Sequence, residues 1–233
     1  MIYAMSDLHG QYVKYVAMLE KIGFSDDDML FVLGDIVDRG SGSAQILYDM
    51  TLRPNIYPIL GNHDMMAAHM LARLCVDVSE ENIETSLNAG TLRELSLWQM
   101  DGGSETLASF QKLDQETRLS LMEFFDEFSL YEELTVAGRK FILVHGGIPF
   151  EKKDIPLELQ NEGDLLTCRP DYDKRYYTDR ILVTGHTPTF LIDDRFDGRI
   201  LQENGHIALD CGAAFGRPLG CIRLDDLQEF YVT

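Results

Sequence analysis

The sequence predicts an α/β domain with a helical insertion, and three observations carry that reading. Short apolar runs recur along the chain, at Ile2–Met5, Met29–Leu33, 56–60, 141–144, 181–184 and 207–209. Their length suits buried strands. Helix-period segments separate the first three runs, which makes a βαβαβ start and therefore a parallel sheet. The stretch from about 65 to 128 has Met, Leu and Ala at three- and four-residue spacings, which is helical character. No internal repeat and no linker rich in Pro, Gly or Ser divides the 233 residues, so 1–233 reads as one domain carrying that insertion.

Taken in order, the first run leads to Tyr12, Val16 and Leu19 at helical spacing, with Gly23 as a C-cap. Ala44, Leu47 and Met50 mark a second, shorter helix after the second run. Beyond about Leu130 the chain changes to short strands and turns. Asn204-Gly205 between two apolar runs predicts a hairpin.

Composition narrows the function. Apolar residues make up 45% and charged residues 25%, ordinary for a soluble globular protein. No apolar run is long enough to cross a bilayer, and the N-terminus lacks a basic region followed by an apolar stretch. The expectation is a cytoplasmic protein without a signal peptide. A formal charge of −19 argues against a broad nucleic-acid surface. Cys75, Cys168, Cys211 and Cys221 form no C-x-x-C pair and read as reduced, partly buried thiols.

The informative residues stand directly after the apolar runs. Asp7-Leu8-His9-Gly10 comes after the first, and Gly34-Asp35 with Asp38-Arg39-Gly40 after the second. Gly61-Asn62-His63-Asp64 comes after the third, His145-Gly146-Gly147 after the fourth and Gly185-His186 after the fifth. Ligands in open α/β sheets bind at the carboxyl ends of strands, so residues far apart in sequence can converge there. Adjacent glycines permit the sharp turns this needs. Asp, Asn and neutral His are oxygen and nitrogen donors suited to Mn, Fe or Zn. Any one of these residues alone could simply start a turn or cap a helix. The five fixed residues of G-D-x-x-D-R-G, however, arise by chance only about once in a million windows.

Together, Asp7-x-His9, Gly34-Asp35-x-x-Asp38-Arg39-Gly40 and Gly61-Asn62-His63-Asp64, with His145, His186 and Asp210-x-Gly212, resemble the phosphoprotein phosphatase family of calcineurin-like metallophosphoesterases. The resemblance implies a β-sandwich flanked by helices with the site at the sheet edge. It implies two divalent metal ions, Mn first, with Fe or Zn also suited. Asp7 and His9 would hold one ion, Asp35 would bridge, and Asn62, His145 and His186 would hold the other. His63 would be the general acid, charged and oriented by Asp38, and Arg39 would bind phosphate. The implied reaction is in-line attack on phosphorus by a metal-bridging hydroxide.

Trp98-x-x-x-Gly102-Gly103-x-x-Thr106-Leu107 is similar to a lid segment of the bacterial Ser/Thr phosphatase branch. Leu165-Leu166-x-x-Arg169 is similar to that branch's second phosphate-binding arginine region. A plain turn at Gly102-Gly103, with Ser104 capping the next helix, is the competing reading. The resemblance thus implies hydrolysis of phosphoserine and phosphothreonine in proteins. Two positions depart from it: Leu60 stands where many members have Arg, and Asp64 where many have Glu. Leu60 followed by G-N-H-D also resembles the symmetrical diadenosine tetraphosphate hydrolases, which makes a dinucleoside polyphosphate or other small phosphoester the alternative substrate. A catalytically idle binding module is a third reading, opposed by the full set of six ligands and His63. His69 reads as a structural or solvated helical residue, His206 as exposed beside its turn, and Asp26-Asp27-Asp28 as a loop charge run without EF-hand spacing.

Overall fold

A computed structural model describes residues 1–74 and 88–233. In chain order, β1 (Ile2–Met5), α1 (Tyr12–Ile22), β2 (Met29–Leu33), α2 (Ser43–Thr51) and β3 (Ile56–Ile59) form the predicted βαβαβ start. Helices α3 (Asn62–Leu74), α4 (Ala89–Trp98), α5 (Ser104–Phe110) and α6 (Gln115–Phe124) come next. A second sheet begins with β4 (Tyr131–Val136) and β5 (Arg139–Val144). After α7 (Glu162–Thr167) come β6 (Arg180–Thr184), the single turn α8 (Thr189–Ile192), β7 (Leu201–Glu203) and β8 (His206–Ala208). The chain closes with β9 (Leu219–Arg223) and β10 (Gln228–Val232).

The strand orders are β10-β9-β1-β2-β3 and β4-β5-β6-β8-β7. β1, β2 and β3 are parallel, as are β5, β6 and β8, while β9 on β1, β10 on β9, β4 on β5 and β7 on β8 pair antiparallel. Side chains alternate between two buried layers. Ala4, Phe31 and Leu33 meet Phe141, Leu143, Val183 and Ile207 between the sheets. Tyr3, Met5, Leu30 and Val32 face the helices on the other side of the first sheet, with Tyr15, Met18 and Leu47. Ile142, Val144 and Leu182 pack with Leu165 outside the second sheet. Burial on both faces is why these strands read as unbroken apolar runs. Trp98, Phe110, Leu121 and Phe124 join the core of the first sheet, so the helical stretch packs against the main body.

Local expectations hold at the turns. Gly23 caps α1 at φ 61°, its N–H bonded to the Glu20 carbonyl. Asn204 (φ 51°) and Gly205 (φ 79°) both take left-handed geometry in the β7–β8 hairpin, as a two-residue type I′ loop requires. α3 starts at Asn62, earlier than the helical stretch expected from about 65.

His206 is a correction: it is buried, with Nε2 2.9 Å from the Lys174 carbonyl and its ring against Tyr172 and Tyr176. β8 lies inside the sheet between β6 and β7, so a residue next to an exposed turn is still covered. His69 is half exposed, which fits the solvated reading. Cys168, Cys211 and Cys221 are free thiols, the last two buried; Cys75 lies outside the described residues. Among the described residues, no helix is long and apolar enough to cross a membrane.

Candidate active site

The carboxyl ends of β1, β2, β3, β5 and β6 open into one cleft. The backbone there is unusual. Of the nine described non-glycine residues with positive φ, six are Asp7, His9, Asp35, Asp38, Arg39 and His186. Such geometry costs about 1–3 kcal/mol per residue and persists where the surroundings enforce it. Here it turns each side chain off its strand end. Gly61 shows how tightly the loops are packed: a methyl group there would collide with the backbone nitrogen and Oδ1 of Asp35.

Asp35 is at the centre. Its Oδ2 lies 3.6 Å from His9 Nε2 and its Oδ1 lies 3.3 Å from His145 Nε2. Oδ1 also accepts the N–H of His63 at 3.0 Å. Two groups of donors result, His9 with Asp35 and His63, and Asp35 with His145 and His186, each with donor atoms within 4.8 Å of one another. Asp35 belongs to both. Asn62 joins the second group, with Oδ1 3.1 Å from His145 Nε2. Asp7 is buried alongside, but its oxygens accept the N–H of His186 at 3.2 and 3.0 Å and it belongs to neither group.

The histidines differ in protonation for physical reasons. His9 donates Nδ1–H to the Val37 carbonyl at 2.9 Å, and its Nε2 accepts from Arg39 Nη1 at 2.8 Å. Burial lowers its pKa to about 3, so it is neutral with one lone pair facing the cleft. Burial likewise lowers His186 to about 4, with the His145 charge adding to it. His145 is the opposite case. Burial alone would lower it, but the charge and hydrogen bond of Asp35, then Asp7, lift it to about 10. Its Nδ1 faces the Leu33 carbonyl at 2.8 Å and its Nε2 faces two oxygens, so both nitrogens donate.

His63 and Asp38 form a buried pair, with His63 Nδ1 2.8 Å from Asp38 Oδ2. Burial alone would lower the His63 pKa. The hydrogen bond to Asp38 and the charge of Asp35 outweigh it, and the net shift is upward. Arg39 donates to His63 Nε2 at 2.9 Å, the arrangement of the neutral ring. Any oxyanion that draws Arg39 away frees Nε2 to carry a proton.

Sequence reasoning missed what holds Asp38. Trp98 donates Nε1–H to Asp38 Oδ2 at 2.9 Å, and Thr106 donates its hydroxyl to Oδ1 at 2.7 Å. The Asp38 N–H returns to Thr106 Oγ1 at 2.8 Å. A kink at Gly102, within Gln99–Gly103, joins α4 to α5 and brings both residues to one carboxylate. Gly102 sits there at φ 108°, its carbonyl accepting the Arg39 N–H at 3.0 Å. Ser104 does not cap α5; its hydroxyl lies 3.4 Å from the Gln99 carbonyl, across the kink. The spacing Trp98-x-x-x-Gly102-Gly103-x-x-Thr106 was the available signal. Thr106→Val should cost about 1–3 kcal/mol, measured by urea unfolding, because a buried carboxylate loses its hydroxyl donor.

Asp64 is explained by the backbone. Its carboxylate accepts N–H groups from Gly61 at 3.0 Å, Ile36 at 2.9 Å and Val37 at 3.3 Å, tying the loop after β2 to the start of α3. Arg169 is exposed and makes no hydrogen bond or ion pair among the described residues, yet its charge contributes to the depressed pKa of His186. It therefore stands free on that side of the cleft. Leu60 is partly buried beside Ser129, whose carbonyl accepts its N–H at 2.8 Å.

Strand-end Asp, His and Asn side chains grouped around one carboxylate define a metal-binding phosphoesterase type of site. The chain belongs to the calcineurin-like phosphoesterase family, which it matches over residues 1–212. It is 32% identical over 98 residues to a symmetrical bis(5′-nucleosyl)-tetraphosphatase of Wigglesworthia glossinidia brevipalpis, covering 41% of this chain and 36% of that protein. The match thus spans about a third of that relative's length. A solved structure provisionally named a diadenosine tetraphosphatase aligns over 99% of this chain and 92% of its own, at 16% identity and a TM-score of 0.65. A Saccharomyces cerevisiae serine/threonine phosphatase described as similar to human PP5 aligns over 99% and 78%, at 15% identity and a TM-score of 0.56. At these identities the structural matches speak to the fold.

Proposed function

We propose that this chain hydrolyses dinucleoside polyphosphates, cutting a phosphoanhydride so that a nucleotide leaves. The observation that carries the chemistry is Asp35, one oxygen turned to each of two donor groups. The substrate class rests on the named tetraphosphatase relative, supported by Leu60 where a phosphate-binding arginine would otherwise stand.

The donor set fits two divalent ions. Asp7, His9 and Asp35 would hold one; Asp35, Asn62, His145 and His186 would hold the other. His9 and His186 are already neutral, and Nδ1 of His9 and of His145 is occupied by a carbonyl, which leaves Nε2 for a metal. The N/O donors suit Mn, Fe or Zn, with Mn our first choice. Such ions supply an activated water and neutralise phosphate charge.

The remaining steps belong to the side chains. Arg39 and Arg169 hold the phosphate oxygens. As the P–O bond to the leaving group breaks and the new one from water forms, His63 hands its Nε2 proton to the leaving oxygen. Asp38, fixed by Trp98 and Thr106, stabilises the imidazolium that does this.

Metal uptake should release protons. His145, lifted to about 10, is charged at neutral pH in the metal-free protein and must lose a proton to coordinate. Binding therefore weakens as pH falls. Calorimetry in buffers of different ionisation enthalpy should show at least about one proton released per chain.

A second reading is phosphoserine and phosphothreonine hydrolysis. The Trp98–Thr106 support of the His63–Asp38 pair favours it, because a held general acid matters most when an alkoxide must leave. The test is kcat/KM of metal-stripped protein reloaded with Mn²⁺, for diadenosine tetraphosphate against a phosphoserine peptide. Preference for the dinucleotide supports the first reading; preference for the peptide replaces it with the second.

A further inference from the structure

Beside the cleft, α3, α4 and the kinked Gln99–Gly103 segment frame a groove of about 540 Å³. Its walls are Met66, Met70, Leu97, Trp98 and Met100. Leu97 is 58% and Met100 86% exposed, so apolar side chains stand open to solvent next to a site otherwise built of charges. Asp101, Glu94 and His69 form its polar rim, with Glu94 Oε2 accepting from Arg73 Nη1 at 2.8 Å.

Position says what enters. Asp101 lines the groove, and its carboxylate also lies 3.8 Å from His63 Nε2 and 3.6 Å from Arg39 Nη2. Nε2 is the atom that would protonate the leaving oxygen. A group departing on that oxygen therefore passes directly into this groove.

Chemistry narrows the class. Met66 and Met100, with Leu97, make a soft apolar surface over the nearly buried Met70 and Trp98, suited to a flat aromatic ring with favourable sulfur–ring contacts. The Asp101 carboxylate, and the Glu94 oxygen that Arg73 leaves open, can accept hydrogen bonds, which suits an exocyclic amino group and sugar hydroxyls. The volume falls in the range of small-ligand pockets. We propose that this groove is the leaving-group subsite, seating the base and sugar of a departing nucleotide. The assignment rests on the dinucleoside polyphosphate reading of the catalytic cleft.

The test is the double variant Leu97→Gln/Met100→Gln, both at exposed positions, in the Mn²⁺-loaded enzyme. The readout is the ratio of kcat/KM for diadenosine tetraphosphate to kcat/KM for p-nitrophenyl phosphate. Inhibition constants for ADP and for pyrophosphate are measured beside it. The expected result is a fall of about tenfold in the ratio, from lost ring contacts, with ADP inhibition weakened by a similar factor relative to pyrophosphate. A wild type that prefers the dinucleotide, with variants that keep its ratio and its ADP inhibition, overturns the subsite and leaves the substrate reading intact. A wild type that prefers a phosphoserine peptide overturns that reading. A variant effect confined to peptides with apolar flanking side chains would give the groove to a peptide and overturn the nucleotide assignment.

Discussion

Asp35→Asn is expected to lower activity by more than about 10³-fold and to leave the chain short of two metal ions. Asp35 is the residue shared by both donor groups, and only a carboxylate offers two anionic oxygens in opposite directions. An amide keeps the acceptor for the His63 N–H but gives the His9 side a neutral nitrogen with hydrogens. The change also removes the charge that lifts His145. That histidine's pKa then falls, so the metal-free variant loses stability that depends on the buried ion pair. A histidine with a raised folded pKa stabilises below its unfolded pKa and loses that contribution as pH rises through its folded value, here about 10. Removing Asp35 should flatten this part of the stability profile. Metal content after reloading, read by elemental analysis, decides the assignment. Two tightly held ions in Asp35→Asn would show that Asp35 does not bridge.

The convergence of the site's donors is legible in the sequence because each stands within a few residues of the end of an apolar run. Asp7, His9, Asp35, Asn62, His145 and His186 need only a strand end and the rule that such ends share a crevice. The illegible part depends on contacts distant in sequence. Asp38 meets Trp98 and Thr106 across 60 and 68 residues, and no local period encodes such a meeting. Similarity alone makes those residues a lid, but their polar groups hold the partner of His63. His206 looks exposed from its neighbours in sequence because burial of β8 is set by β6 and β7 on its flanks, not by the adjacent turn. The same holds for β9 and β10. β9 pairs with β1, at the opposite end of the chain, and its Gly220 and Cys221 give no strand pattern. The start of α3 is hidden because Asn62 and His63 look like loop ligands, whereas they occupy a helix's first turn and still face the cleft.

His63→Asn should lower kcat by about 10²–10⁴-fold for a substrate with a poor leaving group while both metal ions stay bound. Asn cannot donate a proton from an ionised form, but it fits beside Asp38 and preserves the backbone N–H that Asp35 accepts. The deficit should depend on the leaving group. It should be largest for an alkyl phosphate such as phosphoserine, and small for both a phosphoanhydride and p-nitrophenyl phosphate, whose leaving oxygens are far weaker bases than an alkoxide. This gradient separates acid catalysis from a general loss of geometry, which would depress all three alike. His63 also lies in the donor group with His9 and Asp35, which makes metal ligation its competing role. Metal analysis resolves the two roles. Loss of an ion from His63→Asn, with equal deficits on every substrate, would assign His63 to metal binding and leave the proton donor to be found elsewhere. Retention of both ions with the graded deficit would place the proton at His63 Nε2, at the mouth of the Met66–Met100 groove.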